Sequence, residues 1–304
     1  MNKLLRYLHE PGKLIPMLGY RKLLCWIPDK KFIEIIWNLR KKSKLNLDFP
    51  ITYCEKLQWL KLYDHNILYK SLVDKAAVRE YIKEVIGDKY LIPLIGIYDK
   101  VEDIPWSKLP KKFVMKCTHD SGYVIICNDK SKLDINKKKK ELKFRMNHSI
   151  YWYGREWQYK DIKPKIIIEE LMDDGNEGGL IDYKVFCFNG KVKLFQVHTG
   201  RFTKHYQQFY DINWNLTNIS HVDLPTTHEY TVPKPECYEE MIELSEKLSN
   251  ITPHARIDWY YVKGQLYFSE YTFHDGSGFV IFENSEDDYK LGEWIDLSTI
   301  ISTK

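Results

Sequence analysis

Cysteine is scarce: Cys25, Cys54, Cys117, Cys127, Cys187 and Cys237 are the six in 304 residues, none in a CxxC pair and several inside apolar runs. That spacing excludes a zinc ribbon or a disulfide framework and predicts buried thiols in a reducing, cytoplasmic compartment. No long apolar run opens the chain. Its first residues, MNKLLRYLHEPGKLIPMLGYRKLL, are cut by Pro11 and Pro16, so neither a signal peptide nor a spanning helix is expected. There is no glycine-rich loop, Gly/Ser linker, internal repeat or low-complexity tract. An excess of one charge is missing too, since 46 Lys+Arg face 42 Asp+Glu. This balance excludes a disordered polyelectrolyte and a nucleic-acid coat, and no nucleic-acid partner is expected.

What is present is 44% hydrophobic and 29% charged residues, over a length that suits two domains or one large α/β unit with a cleft. Charge is uneven, because residues 1–50 carry eleven Lys/Arg and four Asp/Glu, a net +7 that leaves −3 for the remainder. Leu4, Leu5 and Leu8, then Phe32, Ile35 and Ile36, fall at helical spacing. The stretch reads as short helices with basic outer faces, packed on the body or lying against a membrane surface or an anionic polymer.

Residues 51–88 read as helices, with Asp74 placed to cap KAAVREYIKEVIG and Gly87 to end it. Short β-branched and aromatic runs follow at 90–99, 111–117 and 122–127, the last two joined through Asp120-Ser121-Gly122. Lys137 to Lys140 lie in a helical pattern over 131–150 and read as a solvated face without a function. After KIIIEELM at 165–172, the segment 182–200 alternates on both sides of Asn189-Gly190, the strongest short hairpin signal. An amphipathic helix over 236–249 precedes a second hairpin, 254–278, turning at Lys263-Gly264.

Three constellations carry candidate chemistry. Asp258 and Glu270 lie on opposite arms of the last hairpin among Ile, Trp, Tyr and Phe, and two carboxylates that close need a cation between them. Magnesium with nucleotide phosphates is one occupant; an exposed pair on the wet face of an edge hairpin fits the same letters. Arg256 shares a strand face with Asp258, so it either grips a phosphate or a developing oxyanion or forms an ordinary ion pair. Lys116, ending a strand before THDSG, reads as a phosphate lid or a plain hairpin. Glu169, Glu170 and Leu171, with Lys184 in the next run, suit an adenine and ribose slot or an acidic strand end beside a lysine.

The order of these pieces, with DKAAVREYI, LIPLIGIYD, LPKKFVMKCTHDSGYVIIC, PKIIIEELM, DYKVFCFNGK and ARIDWYYVKGQLYFSEYTFHDGSG, resembles the ATP-grasp superfamily. The likeness is to its TupA-like branch of teichuronopeptide and surface-polysaccharide biosynthesis, over roughly residues 55–280. The resemblance implies an α+β, ATP-grasp fold: two α+β subdomains sandwiching ATP, after a reduced, basic, helical N-terminal region at 1–65. The ATP-grasp domain then occupies 66–304, with a lid subdomain near 90–170 and a metal and acceptor subdomain over 171–304. It implies ATP and Mg2+ as cofactors. Lys75, Lys116, Thr118, His119, Ser121, Gly122, Glu169, Glu170, Leu171 and Lys184 would bind nucleotide, and Asp258, Glu270 and Thr272 would hold the metal. Arg256 and Lys184 would serve catalysis; Arg201, Gly276, Ser277 and Gly278 would meet substrate. Thr272 stands where many ATP-grasp enzymes have asparagine, which implies a hydroxyl or water ligand.

The activity so implied is carboxylate–amine ligation through an acyl phosphate, releasing ADP and phosphate. The partners would be an amino acid or small amine and a uronic-acid-containing glycan or glycolipid, met in the cytoplasm or at the inner face of the membrane. Tyr151, Trp152, Tyr153, Trp157 and Tyr159 suit sugar stacking or, more commonly at these spacings, a core, with Arg155, Glu156, Lys204 and Arg201 beside them. His198 and His274 are candidate bases, although a lone histidine is more often a packing or hydrogen-bonding residue, so no base is assigned. Two other classes stay open: a glycosyltransferase of the same pathway, for which Asp173-Asp174 is the metal candidate, and a non-catalytic nucleotide or glycan binder.

Overall fold

The computed structural model describes residues 11–301; the helical reading of Leu4, Leu5 and Leu8 lies outside the described residues. The helices are α1 Pro11–Tyr20, α2 Asp29–Lys41, α3 Tyr53–Tyr63, α4 Leu68–Val73, α5 Val78–Val85, α6 Ile135–Met146, α7 Tyr151–Gly154, α8 Tyr238–Ser249, α9 Glu286–Glu293 and α10 Ser298–Ile301. The strands are β1 Leu94–Tyr98, β2 Phe113–Cys117, β3 Ile125–Cys127, β4 Ile166–Glu169, β5 Asp182–Phe188, β6 Lys191–Thr199, β7 Tyr206–Asp211, β8 His254–Val262 and β9 Gln265–Thr272. Two compact units contain them. The first holds residues up to Leu45, Leu60–Val78 and Pro93–Leu171; the second holds Asn46–Trp59, Arg79–Ile92 and everything from Met172 onward.

The first unit is built on an antiparallel sheet of order β1-β4-β2-β3. Its alternating Phe113, Met115 and Cys117, with Ile125, Cys127, Ile166 and Ile168, pack on Leu142 of α6. Side-chain caps start its helical turns. Asp134 accepts from Lys137 N at 2.9 Å, and Asp74 accepts from Ala76 N at 2.8 Å and Ala77 N at 3.1 Å. Lys137 and Lys140 of α6 are exposed, as a solvated face requires.

The second unit carries a five-stranded antiparallel sheet, β7-β6-β5-β8-β9. Both of its tight hairpins turn where expected. Asn189 and Gly190 have φ of 48° and 75°, and Lys263 and Gly264 have 52° and 80°, the left-handed pairs that a two-residue hairpin needs. One sheet face, with Tyr183, Val185, Cys187, Ile257, Trp259 and Tyr271, is buried, and α8 packs on β5, β6 and β8 through Met241, Leu244 and Leu248. Trp259 secures this layer by donating its indole N–H to Ser245 Oγ at 2.9 Å. Every residue of β5 is buried, so the opposite face is covered as well.

That second face changes character along its length. At the hairpin end it is aromatic: Phe188 and His254 meet Tyr53 of α3, and Phe186 meets His254. Toward the start of β5 it becomes charged, with Asp182 and Lys184 beside Asp258 and Arg256 on β8.

Strand β7 and helices α9 and α10 carry no periodic signal and were not expected. β7 buries Gln207 and Gln208, whose amides donate to the carbonyls of His221 and Thr227 at 2.8 and 3.0 Å, so polar residues fill core positions on this strand. Among residues 151–159, Tyr151 and Tyr159 follow the core reading of these aromatics. Tyr151 and Arg155 are buried, Tyr151 donating to Asp29 at 2.6 Å; Trp157 stacks on His65 at 4.6 Å. Tyr151 and Arg155 are interior packing of the first unit and present no surface to a sugar. All six thiols are free and all but Cys25 are fully buried. Among the described residues no helix is long and apolar enough to cross a membrane.

Gly19 of α1 sits against Phe32 and Trp152: a Cβ there would come within 2.8 Å of the Phe32 ring and closer still to the Trp152 carbonyl. Gly19→Ala is therefore expected to cost about 1–3 kcal/mol in urea unfolding. A parent-like midpoint would show that this helix contact is looser than described.

Candidate active site

Each unit presents its own charge set. In the first, β2 and β4 register Lys116 against Ile167 and Val114 against Glu169, which puts Lys116 and Glu169 on one face. Their side chains meet at 3.2 Å, both largely buried. The segment after β2 is held by several hydrogen bonds. Thr118 is buried, its N–H donating to Lys165 O at 2.9 Å and its hydroxyl lying 3.4 Å from Asp74 Oδ2. His119 is buried and donates Nε2–H to the His148 carbonyl at 2.9 Å. Lys75 donates to the Asp120 carbonyl at 2.7 Å. Only Ser121 and Gly122 lie toward solvent, Gly122 with φ of 77°.

Arg145 is the residue that the sequence reading passed over. Lying in the lysine-rich α6, it bonds the buried Asp120 carboxylate at 3.1 Å and spans the rings of Tyr20 and Tyr123 at 5.5 and 4.6 Å. Only its position one turn beyond the lysines, in a helix given no function, hinted at this. Glu170 is exposed, its N–H donating to Pro93 O at 3.0 Å, and Leu171 is half-buried.

In the second unit, register assembles the charges. Glu270 of β9 lies opposite Asp258 of β8, and Asp258 lies opposite Lys184 of β5, so three strands place carboxylate, carboxylate and ammonium in one row. Asp258 is 2% exposed, and Lys184 donates to its Oδ2 at 2.5 Å and to Asp182 Oδ2 at 2.9 Å. Arg256 adds Nε to Asp258 Oδ1 at 2.7 Å and Nη2 to Oδ2 at 2.9 Å; Nη2 also donates to Thr272 Oγ1 at 3.2 Å, and Nη1 reaches Asp275. Arg201, from the loop after β6, bonds Asp182 at 2.6 Å. Asp182 and Asp275 were not among the expected site residues. The signal for Asp182 was its place two residues before Lys184, on the same strand face; Asp275 stood in the HDGSG segment beside His274.

Asp258, Lys184 and Arg256 hold each other ionised. Burial raises the Asp258 carboxyl, and Arg256 and Lys184 more than reverse that, leaving it below the usual carboxylate range. Burial lowers Lys184, and Asp182 with Asp258 bring it back above an ordinary lysine. His198 is different: burial first, then Lys184 and Arg256, push its pKa down and keep the ring neutral.

The loop after β9 runs through three left-handed residues, Gly276, Ser277 and Gly278, with φ of 51°, 56° and 65°. Gln58 holds it by donating to the Ser277 and Gly278 carbonyls at 3.2 and 2.6 Å.

Whether magnesium fits is decided by the Asp258 oxygens. A carboxylate offers about four lone pairs. Oδ2 spends two on Lys184 and Arg256, while Oδ1 spends one on Arg256, leaving one directed site beside Glu270. Asp275 Oδ2 is a further buried oxygen without a hydrogen-bond partner. Among the described residues no group of three or more His, Cys, Asp or Glu is placed to hold a metal by itself. An all-oxygen site supplied by one or two carboxylates and completed by phosphate oxygens is the coordination that magnesium takes with nucleotides.

The model of the TupA-like ATP-grasp family matches residues 55–296, and the chain belongs to that family. ATP-grasp proteins use ATP and Mg2+ as cofactors. A comparison with curated proteins finds no match. Among solved structures the chain is similar to D-alanine–D-alanine ligase of Bacillus anthracis, with 18% identity, 66% of this chain and 57% of that one covered, and a TM-score of 0.39. It is also similar to D-alanine–D-alanine ligase of Helicobacter pylori (14% identity, 74% and 61% covered, TM-score 0.38). A third is the L-amino acid ligase of Bacillus licheniformis (12% identity, 83% and 55% covered, TM-score 0.42). The chain spans about three fifths of the length of the two D-alanine ligases.

Behind the charge row, His254 is fully buried; its Nδ1 donates to Phe273 O at 2.7 Å, so Nε2 accepts from Tyr53 Oη at 3.1 Å. Burial above all lowers its pKa from 6.5 to about 4. Below pH 6.5 the unfolded chain takes a proton that the native ring refuses, so stability falls as pH drops from 6.5 to 4. The expected loss is about 3 kcal/mol by urea unfolding. His254→Gln should flatten that slope; a variant with the parent's full slope would remove His254 as its cause.

Proposed function

We propose that the protein is an ATP-dependent carboxylate–amine ligase. The observation that carries this reading is the row Glu270–Asp258–Lys184, with Asp258 and Lys184 buried and Arg256 across it. Asp258, Lys184 and Arg256, charges packed on one sheet face, cost more than an apolar core of the same shape would, which suits a working site.

A carboxylate is a poor electrophile. In the proposed reaction one of its oxygens takes the γ-phosphoryl group of ATP, ADP leaves, and the product is an acyl phosphate. An amine then attacks the acyl carbon, the carbon–oxygen bond to phosphate breaks, and the amine's proton passes to solvent. Magnesium supplies charge neutralisation at the phosphates. Asp258 and Glu270, with the Thr272 hydroxyl, hold it, and Lys116 and Lys75 grip phosphate oxygens. Lys184 faces the acyl phosphate and Arg256 stabilises the tetrahedral oxyanion. Thr118, His119, Ser121 and Gly122 border the phosphates; Glu169, Glu170 and Leu171 hold adenosine; Arg201 and the Gly276-Ser277-Gly278 loop meet the acceptor.

The acid proposed is a uronic acid of a bacterial surface polysaccharide, and the amine an amino acid or small amine; the resemblance to the teichuronopeptide branch supports both. The work would take place in the cytoplasm. The glycosyltransferase alternative draws no support from Asp173 and Asp174, which accept backbone N–H groups of Gly175 and Asn176 at 2.9 and 3.0 Å within their own turn.

The test is ADP release from Mg-ATP in the presence of a panel of uronic acids and of amino acids, singly and together. Release that requires both, lost by about a hundredfold or more in Glu270→Gln and accompanied by weaker ATP binding in Lys116→Ala, is expected. Full turnover by Glu270→Gln would overturn the site, and AMP with pyrophosphate would overturn the reaction.

A further inference from the structure

Between α1 and α2 the chain makes a turn whose inside and outside contradict each other. The backbone is closed locally, with Lys22 N donating to Gly19 O at 2.7 Å and Leu23 N to Leu18 O at 3.0 Å. From within, Arg155 pins it. This guanidinium is 1% exposed, donates Nη2 to Leu24 O at 2.8 Å, lies 3.5 Å from the Asp29 carboxylate, and stacks on Phe32 and Trp152 at 4.3 and 4.5 Å. Burying a charge to hold one short turn is costly, and it leaves the turn rigid. Yet the turn offers solvent its largest apolar groups: Leu23 is 60% exposed and Trp26 is 78% exposed.

The rim around them is cationic. Arg21, Lys22, Lys30 and Lys31 are all exposed. The acids nearby are already engaged, Asp29 by Arg155 and by Tyr151 at 2.6 Å, Glu34 by Lys31 at 3.2 Å. A protruding indole and leucine ringed by lysine and arginine match the boundary between lipid headgroups and acyl chains, where rings sit at the interface and cations meet phosphate.

We propose that the turn Arg21–Lys31 is a docking element for an anionic membrane surface, with Trp26 and Leu23 entering the headgroup region and Arg21, Lys22 and Lys30 contacting lipid phosphate. A polyanionic glycan would use the cations and stack a sugar ring on the indole, and it would give no quenching by acyl chains. A second copy of the chain would bring like charges together. The proposal places the protein beside lipid-borne acceptors and uses no residue of the catalytic set, so it stands or falls apart from the ligase reading.

The experiment is co-sedimentation of the full chain with phosphatidylglycerol–phosphatidylcholine vesicles and with phosphatidylcholine alone. Binding to the anionic vesicles alone, weakened by salt, is expected. Leu23→Ser with Trp26→Ser should lower it about tenfold or more. Arg21→Gln and Lys30→Gln should each lower it about fivefold, with the thermal transition unchanged. Brominated acyl chains should quench tryptophan fluorescence in the parent and not in Trp26→Phe. No sedimentation, equal binding to neutral vesicles, binding indifferent to Trp26, or self-association through Trp26 without lipid would each overturn the proposal.

Discussion

The grip of Arg256 and Lys184 on the Asp258 carboxylate is the constraint that the second unit is arranged around. A carboxylate 2% exposed stays charged only because two cations meet it at 2.5 to 2.9 Å. The Lys184 distance depends on register, since a slip of one residue between β5 and β8 would send Lys184 into the layer under α8 and leave Asp258 with Arg256 alone. That register is supported by the Phe188–His254 pair and its packing on Tyr53 at one end of the face, while the left-handed turns at Asn189-Gly190 and Lys263-Gly264 fix β5 on β6 and β8 on β9. The apolar half of the face sets the geometry that the charged half uses.

What was legible in the sequence followed from local rules. Both hairpins announced themselves through turn residues with a conformational reason to be there, and Asp74 through the backbone donors that it caps. Lys116, Arg256, Asp258 and Glu270 stood out because charges inside β-branched and aromatic runs are expensive. What stayed hidden was set by tertiary context. β7 buries two glutamines whose partners lie in the irregular segment 221–230, which no periodicity shows. Arg145 looked like one more cation of a solvated helix until Asp120 and the two tyrosines came into contact with it. Arg155 looked like a surface arginine among polar residues, and it lies at the centre of a cation–π stack in the interior.

Buried arginines recur with opposite consequences. Arg256 is surrounded by carboxylates and keeps Asp258 ionised; Arg155 is surrounded by rings and carbonyls and pins a turn. The first underlies the proposed ligase reading. The second makes an exposed tryptophan intelligible, because a rigid tip inserts apolar groups without ordering them at the moment of contact.

The most direct measurement of the central claim is oxygen transfer during turnover. With a uronic acid labelled with 18O in its carboxylate, Mg-ATP and an amine, the account predicts that one 18O atom appears in the released inorganic phosphate, seen by mass spectrometry or as a shifted 31P resonance. Label in AMP, or phosphate that carries no label while amide forms, would contradict an acyl phosphate and with it the role given to the Asp258 row.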